Sequence, residues 1–204
     1  MFRHRAFSAG LLTQLTFWCG QASFFLVLAL YLQHGRGLDP LQAGLVFTIL
    51  AAAYLVTSLQ APKLTLQYGR RLIALGALTL ALGHVLLLLS VAEVGTGGWI
   101  GLLAPGLVLV GVGMGLCITP LVSTVLGSLD QQRVGAASGM LSTVQQVGNA
   151  LGVALTGVIF FGALGSGAGY ASAFELSLAQ LALLLVGVAM LTRLLPARQP
   201  GAVR

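Results

Sequence analysis

Apolar positions dominate this chain in six long runs, separated by short stretches where Gly, Pro, Asp, Arg and Lys gather. Each run reaches the roughly 20 residues that carry a helix across a bilayer. The pattern predicts spans over about 7–33, 41–61, 72–92, 99–129, 134–164 and 171–195. The fifth run is the least uniform. Its core, Gly135 to Phe161, carries no charge, yet Ser138, Ser142, Gln145, Asn149 and Thr156 recur at steps of four, three, four and seven. That spacing puts them on one helical face. Gly135 and Gly139, then Gly148 and Gly152, fall at GxxxG spacing, which lets another backbone come close. A polar, small-residue stripe inside an apolar helix predicts a protein neighbour rather than lipid.

The other runs differ in kind. The first carries Gln14 and Gln21 seven residues apart, with Trp18 between them on the same side and Phe25 one turn beyond. The second is expected to end before Pro62, leaving PKLTLQYGRR as a loop that holds Lys63, Gly69, Arg70 and Arg71. The third and sixth are mostly Leu and Ala, as expected of helices that face lipid. The fourth holds GVGMG at Gly111 to Gly115, with Pro105 and Pro120 on either side. Cutting after the third run gives two three-helix units that enter the membrane from opposite sides. Inverted repeats of this kind recur in secondary transporters. The expected fold is an all-α integral membrane protein, residues 1–204 forming a single bundle of six transmembrane helices arranged as two inverted three-helix repeats.

Composition narrows the picture. Hydrophobic residues make up 57% of the 204 and charged residues 7%, where soluble domains carry about a quarter charged. Six spans use roughly 120 residues, which leaves no room for a soluble domain. The net charge of +6 is too dispersed for a nucleic-acid groove. It reads instead as topology. Six spans put both termini on one side, and placing them in the cytoplasm puts Arg3, Arg5, Lys63, Arg70, Arg71, Arg133, Arg193, Arg198 and Arg204 inside, with Arg36 alone outside. The N-terminal MFRHRAF mimics a signal peptide, but its apolar run continues to Gln33, so it reads as a retained first span. Arginine outnumbers lysine nine to one beside abundant Ala, Leu and Gly, a bias of GC-rich bacterial genomes, and the expected location is the bacterial cell membrane. Cys19 and Cys117 have neither disulfide nor metal-ligand spacing and read as small apolar residues.

Helices four and five carry a resemblance. LVGVGMGLCITPLVSTV, a short linker and GAASGMLSTVQQVGNALGVALTGVIF resemble the late helices of major facilitator superfamily transporters, most of all the 14-helix drug:proton antiporter branch. YLQHGRGLDPLQAGL is similar to the loop that enters the second helix of that family's C-terminal half. PKLTLQYGRR resembles the degenerate copy of its cytoplasmic signature, Gly-x-x-x-Asp-Arg-x-Gly-Arg-Arg. Gly69, Arg70 and Arg71 match, while Pro62, Leu66 and Gln67 stand where the first Gly, the Asp and the first Arg belong. The resemblance covers nearly the whole chain but only the last six helices of a full transporter. It implies that helices one and four line a central path, that two and five pack against another bundle, and that three and six face lipid. It also implies a proton-coupled exporter of small hydrophobic or cationic compounds, completed by an N-terminal bundle or a second copy. The alternative is a truncated, non-transporting membrane protein or a structural partner of another subunit.

The chain offers little chemistry of its own. An ionisable group at membrane depth costs about 2.5–3.5 kcal/mol to insert and is rarely decorative. Asp39, Glu93, Asp130 and Glu175 all lie near span ends. His84 is the one titratable group well inside a span, and it reads as a neutral imidazole bonded to an adjacent helix. HExxH, GxSxG and paired carboxylates are absent from the sequence. No catalytic residue, metal site or cofactor is therefore expected, and an enzyme is not the expected class. The candidates for the substrate path are Gln14, Trp18, Gln21, Phe25, Gln145 and Asn149. Gly111, Gly115, Gly135, Gly139, Gly148 and Gly152 are the candidates for close helix packing, the last two against a partner bundle. The expected partners are the lipid bilayer, a small-molecule substrate and the other bundle.

Overall fold

The computed structural model describes residues 5–126 and 134–192. Six long helices run through them: α1 (Arg5–Leu30), α2 (Pro40–Tyr68), α3 (Arg70–Val94), α4 (Ala104–Leu126), α5 (Val134–Gly165) and α6 (Tyr170–Leu191). A π-helical turn, Tyr31–Gly35, extends α1, and a 3-10 turn, Ile100–Leu103, leads into α4. All six are long and apolar enough to cross a membrane. Residues 1–4, the end of the fourth expected span with the link after it (127–133), and the end of the sixth with the tail (193–204) lie outside the described residues.

Helix pairing follows the inverted repeat. α1 packs on α5 as α4 packs on α2, and α1 meets α6 as α4 meets α3. The symmetry mates α3 and α6 pack on each other. Small residues make these approaches possible. On α3, a Cβ at Gly76 would lie 2.8 Å from the Leu116 Cβ, and one at Gly83 would lie 2.8 Å from the Val110 nitrogen. From α4, a Cβ at Gly106 would lie 2.7 Å from Leu87 Cγ, and one at Gly113 would lie 2.6 Å from the Leu80 nitrogen. Gly111 and Gly115, on another face of α4, do the same for α2: their added Cβ atoms would lie 2.8 Å from Ala53 Cβ and 2.7 Å from Thr57 Cβ.

Several hydroxyls inside the spans bond to their own helix. Thr13, Ser23, Thr57 and Ser177 each donate to the carbonyl four residues back, at 2.7–2.9 Å. At the end of the bundle away from the α1 N-terminus, Tyr31 donates to Gly95 O at 2.6 Å, and its ring stacks on Phe174 at 4.6 Å. The Arg36 guanidinium donates to Gly98 O and lies 3.4 Å from Gly95 O. Arg36 therefore ties the α1 extension to the turn after α3.

Two boundaries differ from the sequence expectation. α2 does not stop at Pro62 but runs through it to Tyr68. Proline removes one N–H and crowds one carbonyl, and membrane helices absorb that defect through side chains and neighbours. Thr65 Oγ donates to Ala61 O at 2.7 Å in this turn. The stop comes at Gly69, whose φ of +52° is a conformation other residues adopt at a cost. The expected loop is thus a single residue between α2 and α3. The second difference concerns α3, which is not chiefly a lipid-facing helix. Half of its span is buried, as in α1 and α4, against 11% for α2 and 22% for α5. Ile73, Ala77, Leu80, His84, Leu87 and Val91 point inward, while Leu75, Leu78, Leu82, Val85 and Leu89 point outward.

α2 starts at a complete capping box. Asp39 Oδ1 accepts from the Gln42 N–H at 2.8 Å, Gln42 Oε1 accepts from the Asp39 N–H at 3.2 Å, and Pro40 opens the helix. Asp39→Ala is expected to lower stability by about 1 kcal/mol. Equilibrium unfolding in detergent checks this, and an unchanged midpoint would show the cap to be dispensable.

Candidate substrate path

The polar positions of α1 and α5 meet across their shared face. Gln14 is buried, and its Oε1 accepts from Trp18 Nε1–H at 2.7 Å, one turn along α1. This bond fixes the carboxamide orientation, since the indole N–H can only donate. Gln14 and Gln145 line one cleft of about 190 Å³, with Ser138, Leu141 and Ser142 of α5 and Val122 of α4. Three helices from both repeats therefore contribute to it. Its polar groups are carboxamides and hydroxyls, so it can hydrogen-bond a guest without offering it a charge.

The other candidates lie outside this cleft. Trp18 packs edge-on against Phe17 at 5.5 Å. Phe25 stacks with Phe47 of α2 at 5.9 Å. Gln21 is 5% exposed, and its Nε2 is enclosed without an acceptor. Asn149 Oδ1 and Thr156 Oγ are likewise enclosed without partners. An unsatisfied buried polar group costs about 1–3 kcal/mol. The sequence reading passed over Gln180 of α6, whose Oε1 and Nε2 are both buried and unpartnered. The available signal was a carboxamide midway along an otherwise Leu- and Ala-rich span.

Gly148 and Gly152 do have a close neighbour, but it is α1 of the same chain rather than a partner bundle. A Cβ at Gly148 would lie 2.9 Å from Leu15 O, and one at Gly152 would lie 2.5 Å from the Cys19 carbonyl carbon. Gly135 and Gly139, by contrast, face open space, with nothing within 4 Å of an added Cβ. Arg70 and Arg71 open α3 directly after the Gly69 turn. His84 is also placed differently from expectation. Its Nδ1 lies 2.8 Å from Leu80 O on its own helix, not on a neighbour. A carbonyl only accepts, so Nδ1 carries the proton, and the ring packs edge-on against Phe24 at 4.8 Å. Among the described residues, no three His, Cys, Asp or Glu side chains gather as a metal site.

The sequence profile described as Major Facilitator Superfamily matches residues 6–204. The chain belongs to the Major Facilitator Superfamily. Two relatives carry transport or export names. The "Probable actinorhodin transporter" of Streptomyces coelicolor is 38% identical over 81% of this chain and 29% of its own length. The "Cephamycin export protein CmcT" of Amycolatopsis lactamdurans is 36% identical over 92% of this chain and 39% of its own. The chain thus spans well under half the length of these relatives. A solved bacterial homologue of the human drug peptide transporters PepT1 and PepT2 shares the fold, with a TM-score of 0.78 over 93% of this chain and 41% of that one, at 19% identity. The superfamily assignment and the six apolar helices make this a multi-pass membrane protein.

Proposed function

We infer that this chain forms one bundle of an exporter for small hydrophobic or cationic compounds and works by alternating access against a second six-helix bundle. One observation carries the reading. The symmetry mates α2 and α5 are the least covered helices, and α5 lines the polar cleft that it shares with α1 and α4. Leu45, Leu55, Leu59, Leu151 and Leu155 stay exposed on these two helices. The printed names of its relatives, a probable actinorhodin transporter and a cephamycin export protein, support a small-molecule substrate. On this reading the chain contributes a neutral wall of the path, and any proton-coupling carboxylate belongs to the second bundle. The basic residues orient both termini toward the cytoplasm of a bacterial cell.

The test is efflux from proteoliposomes under an imposed pH gradient, with this chain alone and with the N-terminal bundle of a relative co-expressed. Drug efflux is expected only from the pair. Efflux from the chain alone would overturn the need for a second bundle. A stable pair that transports none of a panel of apolar and cationic drugs would overturn the exporter reading.

A further inference from the structure

A second concavity shares no lining residue with the candidate path. It is a groove of about 350 Å³ between α3 and α6, lined by Arg71, Ala74, Leu78, Val186, Ala189 and Met190. Arg71, Ala74 and Leu78 are spaced three and four apart and form one face of α3. From Arg71 to Leu78 the groove descends about 10 Å along the helix, about a third of the hydrocarbon thickness. Ala74 and Ala189 are the small residues that hollow it between the larger side chains. Thr192, also in the lining, is buried and donates its hydroxyl to Ala189 O at 2.6 Å. Arg71 is exposed, and no described residue gives its guanidinium a hydrogen bond or ion pair.

We propose that this groove is a binding site for a phospholipid with an anionic headgroup, its phosphate held by Arg71 and one acyl chain seated between α3 and α6. Three observations converge. The groove opens where a multi-pass protein meets hydrocarbon, so its occupant is a chain that restores the dispersion contacts its walls would otherwise lack. Its charge sits at one end only, at the start of α3, where a headgroup lies when the acyl chain runs down the helix. The guanidinium forms paired hydrogen bonds with phosphate oxygens, and among the described residues the lining presents no carboxylate to compete. Basic pockets between membrane helices hold anionic headgroups by this chemistry. The site does not depend on the transport reading, because it shares no lining residue with the α1–α5 cleft.

The test is native mass spectrometry of the full chain, purified in mild detergent and supplied with phosphatidylglycerol and phosphatidylcholine of matched acyl chains. Phosphatidylglycerol is expected to be retained about fivefold over phosphatidylcholine, the preference one basic residue confers at a membrane surface. Arg71→Gln is expected to abolish that preference while leaving the helical circular dichroism unchanged. Ala189→Phe, which fills the groove without touching the charge, is expected to reduce retention of both lipids. A preference that survives Arg71→Gln would overturn the proposal, as would undiminished lipid retention by Ala189→Phe. Displacement of phosphatidylglycerol by millimolar glycerol phosphate would reduce the site to a phosphate site and overturn the lipid assignment.

Discussion

Gly152→Leu is expected to unfold the bundle rather than merely to loosen an assembly. The α1 and α5 backbones approach so closely here that an added Cβ would lie 2.5 Å from the Cys19 carbonyl carbon and 2.6 Å from its Cα, with the carbonyl oxygen closer still. Overpacking a site walled by side chains costs about 1–3 kcal/mol, because rotamers yield. A backbone carbonyl in a helix cannot yield without moving α1 as a whole. The expected loss therefore exceeds about 3 kcal/mol, at the upper end of that range. Unfolding of the purified chain in a mixed detergent series measures it, with no second bundle present. Gly139→Leu is the control, since its side chain would enter open space. A wild-type midpoint for Gly152→Leu would show that α1 and α5 do not pack this way. Equal losses in both variants would show that the contact with α1 does not set the cost, since leucine is the better helix former at both positions.

Gln21→Leu is expected to separate stability from transport. The Gln21 Nε2 is buried without an acceptor, so the native residue carries an unmet desolvation cost of about 1–3 kcal/mol. Leucine is of similar size and has nothing to satisfy. The variant should therefore match or exceed the native midpoint, by up to about 2 kcal/mol. If Gln21 meets substrate or water in the transport cycle, efflux by the complete two-bundle protein should fall about tenfold, the loss of one good hydrogen bond. Efflux normalised to protein in the membrane is the readout. Parallel falls in stability and efflux would make Gln21 a packing residue. Unchanged efflux would remove it from the path.

The span count and the repeat symmetry were legible in the sequence because they rest on long-range regularities. Run length, loop charge and the period of the Ser138–Thr156 stripe survive without knowledge of neighbours. The orientation of α3 was not legible. In a membrane the outward face is as apolar as the inward one, so Leu80 and Leu82 look alike although one is buried and the other exposed. Pro62 misled for a related reason. A rule made for helices in water overstates the damage proline does where the rest of the helix has no competing solvent. The GxxxG pairs were recognised as close-packing sites, but spacing alone names no partner. Gly148 and Gly152 meet α1, Gly111 and Gly115 meet α2, and Gly135 and Gly139 meet nothing described. Gln180 was not legible because it stands by itself on α6, outside any polar stripe.

The glycines between α3 and α4 bear on how the bundle moves. Gly76 and Gly83 on one helix, and Gly106 and Gly113 on the other, are each seven residues apart, and each faces atoms of the opposite helix. They work like the tumblers of a lock. An axial slip by one residue, about 1.5 Å, would bring Cβ-bearing backbone to every point where two helices now nearly touch. The α3–α4 pair therefore resists shear and travels as one plate. It links the last helix of the first repeat to the first helix of the second, so a tilt that begins in either repeat is carried into the other without lost motion.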